Sequence, residues 1–160
     1  INYQVFYEEP IYAAIPEGHP MNACARGAEG EDMPVIPLNA LRGGEFILTK
    51  AFKKTRMAAD RILEHLDGDY SIVMESQNIE TVIRLVANGL GISLIPNIYS
   101  KVYRTGDKIR YYRIAGDCEP SWQWAVIYSN IDNLTRPSKE LYRILCEEGC
   151  RLPKYVEECR

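Results

Sequence analysis

Val86-Ala87-Asn88-Gly89-Leu90-Gly91-Ile92-Ser93 (VANGLGIS) sets two glycines one residue apart beside an apolar run. Alone, it suggests the turn that cradles a dinucleotide. That fingerprint lies between a strand and the following helix, and its third glycine opens the helix. Here the order is reversed. Upstream, Ile79, Val82, Ile83, Val86 and Ala87 recur at i, i+3, i+4, i+7 and i+8, the spacing of one helix face. Asn78 suits the N-cap, and Glu80 the first turn, where the helix dipole favours an anion. Downstream, Ile92 to Ile95 reads as a strand closed by Pro96, and the third-glycine position is Leu94, inside it. Gly89 therefore reads as the residue past a helix end, in the left-handed conformation that a Cβ penalises, and Gly91 as the turn into Ile92. No nucleotide cofactor is implied.

Outward from this point the pattern repeats. Tyr70 to Glu75 (YSIVME) reads as a strand, and Asp67-Gly68-Asp69 stops the preceding helix, Thr55 to Leu66. That helix has a predicted apolar face of Met57, Ala58, Ile62, Leu63 and Leu66. Before it lie a turn of helix at Pro37 to Leu41, a break at Gly43-Gly44 and a buried strand at Phe46 to Lys50. Tyr3 to Tyr7 and Pro10 to Ile15 read as two extended segments, PEGHP (Pro16 to Pro20) as a turn, and Met21 to Pro37 as a loop. Further on come a short helix at Asn97 to Tyr103 and strands at Ile109 to Ile114 and Trp122 to Ser129. The last helix, Pro137 to Glu147, has Leu141, Ile144 and Leu145 on one face. Strand, helix, strand, helix, strand in the middle of the chain describes a parallel α/β sheet with right-handed crossovers.

The bulk numbers exclude several classes. The 160 residues are 46% hydrophobic, which suits a packed core, and the formal charge of −3 gives no surface for a phosphate backbone. No apolar run approaches the roughly 20 residues that cross a bilayer. The five cysteines, Cys24, Cys118, Cys146, Cys150 and Cys159, lack framework spacing and read as reduced thiols. Cys146 and Cys150 lie four apart, so a helix would put them on one face, with no histidine near to complete a metal site. His19 and His65 have no partner in motif spacing, and the acidic pairs Glu8-Glu9 and Glu147-Glu148 read as solvated surface. Catalytic residues, metals and cofactors are expected to be none. The N-terminus, Ile1-Asn2-Tyr3-Gln4, reads as the start of a segment of a longer chain.

One polar grouping points to a ligand. TKAFKKTR (Thr49 to Arg56) joins a strand end to a helix start and carries Lys50, Lys53, Lys54 and Arg56. Ser76-Gln77-Asn78 occupies the same junction one unit later, and Pro96-Asn97 the next. In α/β sheets ligands gather at the carboxyl ends of strands, where helix N-termini aim N–H groups. Three such junctions on one edge would line a common cleft fitted to a small organic anion such as a carboxylate. Charge alone fits a solvated basic loop as well.

Three consecutive blocks, EEPIYAAIPEGHPM, PLNALRGGEFILTK and ESQNIETVIRLVANGLGISLIPNIYS, resemble the effector-binding domain of LysR-type transcriptional regulators. WQWAVIY and RPSKELYRILCEEG fall where that pattern expects them, so the likeness runs from about Val5 to Gly149. The resemblance implies a two-lobed fold similar to type 2 periplasmic binding proteins, with a small effector bound between the lobes. It also implies a DNA-binding winged helix-turn-helix, which has no counterpart in these residues. On this reading residues 18–118 form the second lobe, 1–17 and 119–150 supply connecting strands and a terminal helix of an incomplete first lobe, and 151–160 are a tail.

Carried over by position, the effector-contacting residues would be Thr49, Lys50, Ala51, Phe52 and Lys53 after the lobe's first strand. Ser76, Gln77 and Asn78 after the second and Pro96 after the third complete the wall. Ile15 is apolar where some anion-sensing members carry a hydroxyl, which argues against a bare inorganic anion. Thr49 to Tyr70 lacks the cysteine pair of peroxide sensors. The implied function is ligand sensing in a cytoplasmic transcription factor that forms dimers or tetramers, without catalysis. A solute-binding protein of a transporter and an enzyme on the same bilobal fold are the rivals.

Overall fold

The computed structural model describes residues 1–27, 33–103, 105–116 and 121–149. The chain divides into two compact units, Pro10–Pro120 and Ile1–Glu9 with Ser121–Arg160.

In the larger unit, β3 (Gly44–Thr49) and β4 (Tyr70–Ser76) pair in parallel from Gly44↔Tyr70 to Thr49↔Ser76, with a register slip between Phe46 and Ile47. Ile92, just before β5 (Ser93–Pro96), bridges Phe46 in parallel. The Ile47 N–H donates to the Ile92 carbonyl at 2.8 Å, and the Ile92 N–H to the Glu45 carbonyl at 2.9 Å. The three middle strands thus run the same way, as their alternation with helices requires. Beyond β5 the sheet turns antiparallel. β1 (Asn2–Pro16) pairs antiparallel with β5 on one side and with β6 (Ile109–Ala115) on the other, and β2 (Val35–Pro37) adds to β6 in parallel. The arrangement is therefore mixed, with the predicted parallel part, β5, β3 and β4, at one end.

The glycines do what the reversed order demands. Gly89 has φ 78° with open space around it. Gly91 does more than turn the chain: a Cβ there would lie 2.6 Å from the Glu45 carbonyl oxygen, so the missing side chain lets β3 approach. α2 (Ile79–Ala87) buries Val82, Ile83 and Val86 against Ala14, Ile47, Ile95 and Ile109. Each large apolar side chain so buried contributes roughly 1.5–3 kcal/mol.

α1 (Lys54–Leu63) forms where expected and continues as a 3-10 turn through Leu66, stopped by Asp67 at φ 53°. Its buried face differs. Met57 is exposed, while Arg56 and Ala59 are buried with Ile62, Leu63 and Leu66. The helix is rotated so that Arg56 reaches the end of β3, a polar demand invisible to apolar periodicity. Met21 to Pro37, expected as a loop, contains a 3-10 turn at Pro20–Cys24 capped by His19 and the strand β2; residues 28–32 lie outside the described residues. α3 (Asn97–Val102) follows β5 directly.

In the smaller unit the first part of β1 pairs with β7 (Ser121–Tyr128). Two extended segments were expected at this end, and one strand runs through both. Pro10 breaks nothing because its fixed φ suits extended backbone. Glu9 corrects the solvated-pair reading: it is 1% exposed, and its Oε2 accepts from Trp124 Nε1 at 2.7 Å. Adjacent strand residues face opposite ways, so Glu8 stays outside, taking Gln123 Nε2 at 2.6 Å. α4 (Arg136–Glu148) is capped by Thr135 and has no buried residue; Leu141 and Ile144 are both exposed. Cys146 is half-buried, and Cys118, Cys150 and Cys159 lie outside the described residues. Among the described residues no helix is long and apolar enough to cross a membrane.

Candidate functional site

The carboxyl ends of β3, β4 and β5 share one edge of the sheet. Thr49 sits opposite Ser76 in the parallel register, and the Lys50 N–H donates to the Ser76 carbonyl at 2.9 Å. This bond ties the first two corners together. β5 runs parallel to β3 from the Phe46–Ile92 bridge, so Pro96 closes its strand on the same side.

The first corner is built tightly. Thr49 is buried, and its hydroxyl meets that of Thr55 at 2.7 Å. The Lys53 N–H donates to the Lys50 carbonyl at 2.9 Å, closing a turn that leaves Lys50, Ala51 and Phe52 exposed. Phe52 is 69% exposed, with Lys53 Nζ 5.5 Å from its ring centroid. The second corner caps a helix. Ser76 Oγ accepts from the Asn78 N–H at 3.1 Å, and Asn78 Oδ1 from the Glu80 N–H at 2.9 Å, while Gln77 is exposed. At the third, Pro96 is buried, and buried Asn97 takes the Ser100 hydroxyl on its carbonyl at 2.7 Å.

The two helices that start beside β3 and β4 differ in what their first turns still want. At α2, Asn78 and Glu80 already meet the positive end. α1 has neither a side-chain cap at Lys53 nor an acid in its first turn. Its first amides have no partner within the helix and carry the positive end of the dipole. Lys50, Lys53 and Lys54 stand there with no ion pair among the described residues. The corner therefore offers N–H donors, lysine ammonium groups and the Ser76 hydroxyl proton, with Phe52 as an apolar surface.

Arg56 does not belong with those cations. Its Nε donates to Asp60 Oδ1 at 2.7 Å, its Nη1 to the Thr49 carbonyl at 3.1 Å, and it pairs with Glu75. Burial works against its charge, but the Asp60 and Glu75 bonds outweigh that and raise its pKa above the ordinary arginine value. Sequence reasoning counted it in the basic grouping and passed over Thr55. The legible clue was the Arg56–Asp60 spacing of four, which on a helix forms a pair.

The family model described as LysR substrate binding domain matches residues 1–149. The uncharacterized HTH-type transcriptional regulator YybE of Bacillus subtilis (strain 168) is 32% identical over 92 residues, covering 58% of this chain and 28% of that protein. The HTH-type transcriptional regulator CatR of Pseudomonas putida is 29% identical over 108 residues, covering 66% of this chain and 34% of that protein. This chain thus matches only about a third of the length of either curated relative. Among solved structures, the CcmR regulatory domain of Synechocystis PCC6803 in complex with 2-PG superposes with TM-score 0.70 at 21% identity, covering 91% of this chain and 65% of that one. The reduced form of the OxyR regulatory domain of Pseudomonas aeruginosa gives 0.67 at 22%, covering 91% and 64%. At these identities the likeness shows the fold, the α/β, type 2 periplasmic-binding-protein-like arrangement expected from the sequence.

Proposed function

Since the chain belongs to the LysR substrate binding domain family, we propose that it is the ligand-sensing part of a cytoplasmic transcriptional regulator. It binds a small organic anion at the β3–β4–β5 edge and performs no catalysis. Lys50, Lys53 and the first amides of α1 hold the anionic group; Ser76, Gln77 and Asn78 supply hydrogen bonds; Ala51, Phe52 and Pro96 bound the apolar part, and Thr49 sets the corner. The observation that carries this reading is the contrast between the helix starts: α1 is open and flanked by three lysines with no ion pair among the described residues, whereas α2 is capped and carries Glu80. The regulator-named relatives, and the 2-PG held by the CcmR regulatory domain, support a sensor over a transporter's solute-binding protein.

A ligand that favours one arrangement of such a domain shifts its population, and DNA-binding modules attached to it then change spacing on their operator. This mechanism needs an oligomer, a dimer or tetramer of the full-length protein. β4 supports that need: among the described residues it pairs only with β3, and Ile72, Val73 and Met74 are exposed along it.

The test is calorimetry of the full-length regulator against a panel of small mono- and dicarboxylates. One of them is expected to bind saturably and to lose about tenfold or more in affinity on Lys50→Ala or Ser76→Ala, since hydrogen bonds to a charged ligand contribute about 1.5–3 kcal/mol each. Equal affinity in both variants would overturn the site, and binding of none of the panel would overturn the ligand class.

A further inference from the structure

A second recess lies along the flank of α2 and shares no residue with the β3–β4–β5 edge. It is a groove of about 420 Å³ between α2 and the segment that leaves α3, which falls within the roughly 300–1,000 Å³ of small-molecule sites. Its walls are mixed, with an apolar strip beside the polar side chains of Asn88 and Thr105. Ile83 and Ala87 come from α2, and Val102 and Tyr103 face them from the end of α3. The Tyr103 ring is stacked on Tyr99, centroids 6.1 Å apart, so it stands as a braced wall. Ile83 belongs to the core cluster of Val82, Val86 and Ile109, and Ala87 and Tyr103 pack against it. Ile83, Ala87 and Tyr103 are thus held in place by core packing. Val102, 50% exposed, leaves aliphatic surface in water that a ligand would cover.

The polar groups select the charge of that ligand. Arg84 is matched by Glu80, its Nε and Nη2 reaching Oε1 at 3.0 and 2.7 Å. Lys108 is exposed and has no ion pair among the described residues. Its main chain is fixed, because the Glu17 N–H donates to the Lys108 carbonyl at 3.0 Å. The groove therefore combines an apolar strip, an aromatic wall, the neutral polar groups of Asn88 and Thr105, and at the rim the Lys108 ammonium, which has no ion pair among the described residues.

We infer that this groove binds a small amphipathic organic anion, an apolar body with a single carboxylate. The body lies over Ile83, Ala87 and Val102 against Tyr103, and the carboxylate meets Lys108. This site goes beyond the effector edge and stands whether or not that assignment holds.

Phenylbutyrate, and phenylbutanol as its uncharged counterpart, would be titrated into the isotope-labelled chain and followed by amide NMR shifts. Phenylbutyrate is expected to move the Ile83, Ala87, Tyr103 and Lys108 amides saturably, and to bind more tightly than the alcohol. Lys108→Gln should weaken it about threefold, the scale of an exposed ion pair. Val102→Glu, which adds a negative charge beside the apolar strip, should weaken it further. Both side chains are exposed, so both variants keep the fold. No saturable shift at those amides at millimolar ligand, or equal affinity for acid and alcohol, would overturn the site. Shifts confined to Lys50, Ser76 and Asn78 would also overturn it while leaving the effector edge standing.

Discussion

Arg56 and Thr49 are joined by a buried hydrogen bond: the guanidinium Nη1 donates to the Thr49 carbonyl at 3.1 Å, at the point where β3 hands over to the turn before α1. Asp60 and Glu75 hold the same guanidinium, so one side chain links α1 to the ends of β3 and β4. Removing it leaves a buried carbonyl and two carboxylates without their donor. Arg56→Met is expected to cost about 1.5–3 kcal/mol, the scale of hydrogen bonds to charged groups. Urea unfolding would show this as a lowered midpoint with an unchanged slope. Arg56→Lys should recover only part, because an ammonium group cannot span three acceptors in the planar fork that arginine presents.

The two glycines that opened the sequence reading separate by experiment. At Gly89 a Cβ meets nothing, and the only penalty of Gly89→Ala is the left-handed φ of 78°, about 1–2 kcal/mol. At Gly91 the new methyl would sit 2.6 Å from the Glu45 carbonyl oxygen, which is main chain and cannot swing away. Gly91→Ala must push β5 off β3, and a loss of about 3 kcal/mol or more is expected. Equal costs in denaturant titrations would mean that the strand contact at Gly91 yields freely.

This pair also shows what the sequence made legible. Order along the chain was enough to reject the nucleotide loop, because helix, glycines and strand can be read from apolar spacing. The same spacing located α1, α2 and the three corners at Thr49, Ser76 and Pro96. It missed the phase of α1, since Arg56 is buried for polar reasons and displaces Met57 to the surface. It misread Glu9, because the indole N–H that satisfies it belongs to Trp124, far along the chain. Nor could it separate Arg56 from Lys50 and Lys53: four cations in eight residues look alike until their acceptors are placed.

The Tyr142 hydroxyl is pushed up to about 12, first by its hydrogen bond with Tyr128 and then by burial and by Cys146. The rings meet edge to face at 5.2 Å. The unfolded chain titrates tyrosine near 10. A raised folded value means that the fold favours the neutral phenol. Its contribution is complete below about pH 10 and disappears as pH rises towards the folded value. Alkaline titration followed at the tyrosine ring carbons should find a late midpoint for Tyr142, beside those of Tyr111 and Tyr112, which burial also raises. Tyr128→Phe should bring it back towards the ordinary value, and an unmoved midpoint would assign the shift to burial and Cys146 instead.

The exposed edge of β4 makes the last prediction. A strand edge with unpaired N–H and C=O groups templates pairing with another chain unless charges or proline blunt it. Here Ile72, Val73 and Met74 are 36, 45 and 41% exposed on consecutive positions, so both faces of the strand keep apolar surface in water. Between Tyr70 and Ser76 the single charge is Glu75, which Arg56 neutralises. Such an edge is expected to pair with a second copy of the protein. Val73→Glu places a charge at the middle of the edge, where pairing would have to desolvate it, and leaves the β3 side of the strand untouched. Sedimentation velocity at equal concentrations should then show dimers for the parent chain and a shift to monomer for the variant, with protomer unfolding free energies within about 0.5 kcal/mol of each other, as for an exposed substitution. Identical sedimentation of the two would remove β4 from the assembly surface.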